Sequence, residues 1–80
     1  MSAREPLVVN ATWDDEAKVW VATSDQVPGL VTEADSPEAL IRKLRVMIPE
    51  MLDCNGYEDG EDIPFRLVSA RDDIAHRQAA

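Results

Sequence analysis

The chain has 80 residues, a length that fits one small domain. Its sixteen acidic and eight basic side chains leave a net charge of −8, which disfavours nucleic acid and anionic membrane and favours a basic protein partner. A signal peptide, a membrane span and an internal disulfide are excluded by the polar N-terminus, the short apolar runs and the single cysteine. We therefore expect a cytoplasmic protein, and a homo-oligomer because the core is small.

A hairpin is predicted first. Residues 7–13 place apolar side chains at every odd position, which indicates a half-buried strand. An acidic turn over 14–17 follows, whose first aspartate can accept hydrogen bonds from backbone N–H groups ahead of it. Residues 18–23 form a second strand, antiparallel to the first because the turn is short. The sequence leaves open whether Trp13 and Trp20 share a face, because it does not fix the register.

A third strand and a helix come next. The Pro28-Gly29 pair predicts a type II turn leading into a strand over 30–34. Ser36 is suited to cap a helix whose first residue is Pro37. Pro49 lies within the helical pattern, so we expect a kinked helix, with a break at Ile48 as the competing outcome. The apolar stripe comprises Leu40, Ile41, Leu44, Met47, Ile48, Met51 and Leu52.

The end of the chain supplies one more strand. Asn55-Gly56 fits a helix C-cap, and residues 57–62 read as an acidic loop. Residues 63–68 form the last strand, with Phe65 and Leu67 on one face and Pro64 restricting it to a sheet edge or a strand start. The order β-β-β-α-β predicts a two-layer α+β domain. Its predicted bounds are 7–71, between an N-terminal tail (1–6) and a C-terminal tail (72–80).

Catalytic or metal-binding chemistry is not indicated. His76 lies alone in the predicted tail, and Cys54 has no second cysteine or nearby histidine with which to bind zinc. The acidic pair Asp14 and Asp15 could in principle ligate a metal, but adjacent acids in a turn are normally solvated. We expect no catalytic residues, no metal and no cofactor.

Several short motifs occur in a fixed order along the chain. They are Trp13-Asp14-Asp15-Glu16-Ala17, Trp20-Val21-Ala22, Val27-Pro28-Gly29-Leu30, Thr32-Glu33-Ala34-Asp35, Met47-Ile48-Pro49-Glu50 and Ile63-Pro64-Phe65. Together they resemble the HicB-like antitoxin domain over Leu7 to Arg71. The likeness is greatest to a short stand-alone subgroup that lacks that family's C-terminal DNA-binding domain.

The resemblance implies a partial ribonuclease-H-like fold without that fold's catalytic carboxylates. It also implies an antitoxin-like protein that binds and neutralises a small basic RNA-cleaving toxin of the HicA type. Full-length members repress their own operon through the C-terminal domain, and this chain stops where that domain would begin. We therefore expect no direct nucleic-acid binding by this chain alone.

The binding surface predicted for such a partner is acidic. It combines the hairpin turn with the late loop, through Asp14, Asp15, Glu16, Glu58, Asp59, Glu61 and Asp62. Two alternatives stay open. One is a homo-oligomer without a toxin partner, in which strand edges pair and Trp13 or Trp20 packs in the interface. The other is a remnant of a metal-dependent nuclease.

Overall fold

A computed structural model of the chain describes residues 5–53 and 62–78. Within them the elements are β1 (Leu7–Asp14), β2 (Val19–Thr23), β3 (Val31–Ala34), α1 (Pro37–Asp53) and β4 (Phe65–Ala70). This is the predicted β-β-β-α-β order, and the mixed α+β class is confirmed.

The four strands form one sheet in the order β3-β2-β1-β4. The first three strands are antiparallel neighbours, whereas β4 joins β1 in parallel. Since β3 and β4 therefore run in the same direction, the chain has to return along the sheet between them, and α1 lies on that return path. The parallel pairing decides which loops meet at each end of the sheet.

The hairpin turn matches its prediction in chemistry and in length but lies one residue later, over 15–18. The Asp14 carboxylate accepts hydrogen bonds from the backbone N–H groups of Glu16 and Ala17, at 3.0 and 3.1 Å. Lys18 has a φ of 59°, in the left-handed region. Because that backbone geometry belongs to the turn, β2 begins at Val19 and not at residue 18.

The second connection is the predicted Pro-Gly turn. Gly29 has a φ of 82°, and the Leu30 N–H donates to the Val27 carbonyl at 3.1 Å. Positive φ at the second central residue is what a type II turn requires, and glycine adopts it without strain. Leu30 belongs to the turn, so β3 begins at Val31, one residue later than expected.

The helix begins at the predicted cap and continues through its proline. The Ser36 hydroxyl accepts the Ala39 N–H at 3.1 Å, as an N-cap should. The helix runs without interruption to Asp53 with Pro49 inside it, so the competing prediction of a break at Ile48 was wrong. The predicted C-cap at Asn55-Gly56 lies outside the described residues.

The core lies between α1 and one face of the sheet. Leu40, Leu44, Ile48 and Leu52 recur every four residues and are each at most 2% exposed, so they form one ridge along the helix. Opposite them lie the inward side chains of the sheet, many of them small. The most buried of these are Leu7, Val9, Ala11, Ala22 and Ala34.

The strand registers divide the sheet into two faces. The covered face, toward α1, carries the odd-numbered residues of β1 and their partners. It comprises Leu7, Val9, Ala11, Trp13, Trp20, Ala22, Thr32, Ala34, Phe65, Leu67 and Ser69. The open face, opposite, carries the alternate set. It comprises Val8, Asn10, Thr12, Asp14, Val19, Val21, Thr23, Val31, Glu33, Arg66, Val68 and Ala70.

The last strand lies two residues later than its prediction over 63–68. Pro64 precedes it, and the Pro64 carbonyl accepts the Leu7 N–H at 3.0 Å. Phe65 and Leu67 lie on one face, as predicted; it is the covered face, and both are half-buried. A proline cannot donate to a neighbouring strand, so its place just before the strand agrees with its chemistry.

Candidate protein-binding surface at the hairpin end

The two tryptophans lie directly opposite each other at the turn end of the hairpin. Trp13 pairs with Trp20, and their ring centroids are 5.6 Å apart at an interplanar angle of 63°, an edge-to-face contact. Such a contact adds about 0.5–1.5 kcal/mol beyond the area it buries. Trp20 packs against the core, while Trp13 lies farther out and stays half-buried. The register therefore places both rings on the covered face.

Arg71 covers the outer tryptophan. Its guanidinium carbon lies 4.1 Å from the centre of the Trp13 ring, a cation–π contact. The parallel register explains this proximity. Thr12 pairs with Ala70, so the next residues along the chain, Trp13 and Arg71, are adjacent. This contact could not be predicted from the sequence, because no local signal indicates that β4 lies beside β1.

Asp15 is held by its neighbours in the turn. Its carboxylate accepts a hydrogen bond from the Lys18 ammonium at 3.1 Å and one from the Trp13 indole N–H at 3.2 Å. The Lys18 hydrogen bond is the main cause that lowers the pKa of Asp15, followed by the bond from Trp13 and the charge of Lys18. Both members of the ion pair are largely exposed, so it adds little stability.

An open cleft of about 490 Å³ separates the hairpin from the segment after β4. Trp13 and Asp15 line one side, and residues 71–74 with His76 line the other. Acidic side chains therefore converge here from two parts of the chain. We call this region the hairpin end and define it by Trp13, Asp14, Asp15, Glu16, Arg71, Asp72 and Asp73.

The predicted acidic surface is not a single patch. Asp62 precedes β4, and because β4 is parallel to β1 it lies at the opposite end of the sheet from the hairpin turn. The two ends are about 26 Å apart along the eight residues of β1. Glu58, Asp59 and Glu61 lie outside the described residues. Asp72 and Asp73, which the sequence analysis assigned to the C-terminal tail, lie beside the turn instead.

Basic side chains are concentrated elsewhere. Arg42, Lys43 and Arg45 are exposed on α1, and Lys43 donates to the Glu33 backbone carbonyl. The charge is thus uneven, because α1 carries three acidic residues beside these three cations, whereas the hairpin end has five carboxylates against two cations, Lys18 and Arg71. An uneven distribution of this kind orients a charged partner toward one side of the molecule.

Residues 5–53 and 62–78 give little support to a metal site or a membrane-spanning segment. That part of the chain contains no group of three or more side chains placed to share a metal ion. It likewise contains no helix long and apolar enough to cross a bilayer. The Asp14 carboxylate caps the turn, and the Asp15 carboxylate is bonded to Lys18 and Trp13.

Comparisons with known proteins identify relatives without a stated function. Residues 6–78 match the family described as Domain of unknown function (DUF1902). The crystal structure of hypothetical protein TTHA1013, from the extremely thermophilic bacterium Thermus thermophilus, is similar with a TM-score of 0.66. That protein is 45% identical, and the alignment covers 91% of this chain and 100% of that chain. No curated protein matches this chain.

Proposed function

The chain belongs to the DUF1902 family. We propose that it is a protein-binding module whose hairpin end engages a small basic protein. The proposal rests on one observation, the convergence of carboxylates from the hairpin turn and from residues 72 and 73 around Trp13. A half-buried tryptophan with an arginine over it is typical of an interface anchor, and surrounding carboxylates supply attraction to a cationic surface.

The partner's chemistry follows from the charge. An acidic surface on a chain of net charge −8 accelerates association with a cationic protein, and the acceleration weakens as salt screens it. The resemblance to HicB-like antitoxins names one such protein, a basic RNA-cleaving toxin of the HicA type. In that reading the chain is an antitoxin that covers the toxin's active site, in the cytoplasm and without catalysis of its own.

Co-expression tests the proposal directly. The chain is expressed together with a short basic protein from the neighbouring gene, and growth and co-purification are measured. We expect the basic protein to be toxic alone, and to be harmless and co-purified when the chain is present. Unchanged toxicity without co-purification would remove the antitoxin reading.

Charge variants then test the surface. The double substitution Glu16→Gln and Asp72→Asn neutralises two carboxylates at the hairpin end. It should weaken binding of the basic protein at least tenfold at low salt, chiefly through a slower association rate. Glu5→Gln with Asp62→Asn makes the same change in net charge at the opposite end of the sheet. Stopped-flow kinetics should find that this control stays within about twofold of the original chain. Equal losses of affinity in the two double variants would mean that binding depends on net charge and not on the hairpin end.

A second candidate function is self-association, favoured by the open face of the sheet. That face carries five valines, of which Val31 and Val68 are 65% and 44% exposed. These two exposed valines lie on the two edge strands, with Thr23 and Asn10 between them, so the exposed apolar surface lies where a second chain can pair with a strand edge. In this reading the chain is a homo-oligomeric structural or regulatory protein. The alternative of a metal-dependent nuclease remnant gains no comparable support, because Asp14 and Asp15 are engaged within their own turn.

A further inference from the structure

We infer that two copies of this chain associate through β4 and the C-terminal arm (residues 71–78), each arm lying antiparallel along the outer edge of the other copy's β4. The inference rests on the second candidate function and specifies its surface. The arm is exposed along its whole length, and Ile74 is 75% exposed. The family match nevertheless continues to residue 78, so the arm belongs to the shared domain.

The dimensions of the chain agree with a projecting arm. Its radius of gyration is 16.0 Å, whereas a compact domain of this length has a value of about 12 Å. Its longest dimension is 62 Å, more than twice the roughly 26 Å that the eight residues of β1 span. An eight-residue extended arm is about as long as β1 and so adds about 26 Å. It makes few contacts with its own chain that could offset the entropic cost of ordering it.

The outer edge of β4 offers backbone groups to such an arm. The bond from the Leu7 N–H to the Pro64 carbonyl shows that even-numbered residues at β4 point their backbone groups toward β1. The alternation of a strand then directs the N–H and C=O groups of Phe65, Leu67 and Ser69 outward. Within the described residues no strand lies on that side of β4. An edge of this kind is a template for pairing with another chain.

The inferred pairing carries the same alternation into the arm. Arg71 follows it, because its side chain lies over Trp13 on the covered face, as an odd-numbered residue should. Carried further, the alternation directs the backbone groups of Asp73 and Ala75 outward and places the side chain of Ile74 on the open face. Two antiparallel copies can then exchange hydrogen bonds only where odd-numbered residues lie opposite odd-numbered residues.

One register under this constraint brings apolar side chains together. It places Val68 opposite Ile74 of the second copy, in a close non-hydrogen-bonded pair on the open face. Two large apolar side chains that are exposed in the single chain thereby cover each other. Shifting the register by two residues places either Arg66 opposite Ile74 or Asp72 opposite Asp72, and both are poorer pairs.

A second copy is favoured over an unrelated peptide because the chain supplies both halves of the contact. Each β4 edge receives the partner's arm, and each arm finds the partner's β4. The pairing is isologous and closes with one twofold axis, which is the commonest arrangement of oligomers. Roughly a dozen new backbone hydrogen bonds form, and the two sheets become one continuous sheet.

Disulfide trapping tests the register. In a Cys54→Ala background, Arg66→Cys is combined with His76→Cys, which lie opposite each other across the twofold axis. In one extended chain the two positions are about 33 Å apart, so a disulfide between them links two copies. We expect a covalent dimer to be the main species after oxidation at micromolar concentration. The matched control, Arg66→Cys with Arg77→Cys, places the second thiol on the other face of the sheet. It should give less than a tenth as much covalent dimer.

A pair of proline variants tests the backbone bonds. Ala75→Pro removes an N–H that faces the second copy, whereas His76→Pro removes one that faces away. Sedimentation equilibrium should find the dimer dissociation constant raised at least tenfold by the first and by less than about threefold by the second. A monomer at about 100 µM of the unmodified chain would overturn self-association as a whole. A dimer that neither cross-links nor distinguishes the prolines would overturn the arm pairing alone.

Discussion

The two faces of the sheet both carry aliphatic side chains, but they differ in composition and in surroundings, since nine of the eleven residues on the covered face are apolar and six of the twelve on the open face are. On the covered face, Val9, Ala11 and Ala22 are almost completely buried beneath α1. On the open face, Val8 and Val21 are half-buried and Val31 is exposed. A valine on one face is thus fully buried and a valine on the other is mostly solvated, because the single helix covers one face of the sheet.

The largest expected effect comes from breaking the covered face. Leu44→Ala removes a fully buried side chain from the centre of the helix ridge and should cost about 2–5 kcal/mol of unfolding free energy. Val31→Ala, on the open face, should cost less than about 0.5 kcal/mol because Val31 is mostly solvated. Urea denaturation measures both. Similar losses from the two variants would show that the open face is covered in solution.

A substitution in α1, the helix that covers one face of the sheet, should stabilise the protein. Pro49→Ala restores an N–H to the interior of α1 at an exposed position and is expected to add about 1–3 kcal/mol. Pro37→Ala is the control, because the first residue of a helix has no intrahelical partner for its N–H and should gain nothing. Thermal denaturation compares them. No gain from Pro49→Ala would mean that the proline is held by contacts that offset its missing hydrogen bond.

A smaller loss should follow from loosening the start of the same helix. Ser36→Ala removes the acceptor of the Ala39 N–H and should cost about 1 kcal/mol. Ser36→Asp keeps an acceptor at the cap and should restore most of that stability. Chemical denaturation of the three proteins checks this order. If alanine and aspartate behave alike, the cap does not contribute.

The smallest effect concerns the turn that joins β1 to β2. The lowered pKa of Asp15 means that its contribution to stability is fully present above its unfolded pKa, near 4, and is lost as pH falls through the lower folded value. Lys18→Met should raise the pKa of Asp15 toward its ordinary value. NMR titration of the side-chain carboxyl measures this change. A pKa unaffected by the substitution would assign the depression to Trp13 or Arg71.

Local signals in the sequence predicted much of this fold. Ser36 capped the helix and Gly29 adopted positive φ because each requirement involves only the next few residues. The partner of β4 could not be predicted in this way, since nothing near Phe65 encodes its contact with Leu7. That one missing contact explains why Asp62 was grouped with the hairpin turn and why Asp72 was not. The family resemblance and the function that it implies stay predictions.

The parallel pairing of β1 with β4 also has a consequence for the order of folding. The three antiparallel strands pair across short loops, whereas Leu7 and Phe65 are separated by most of the chain. Closing the longer loop costs about 1–2 kcal/mol more in chain entropy, so the pairing of β4 should form late. On the ribosome the meander and helix can assemble while β4 is still emerging. Until it docks, the outer edge of β1 is open to a neighbouring nascent chain.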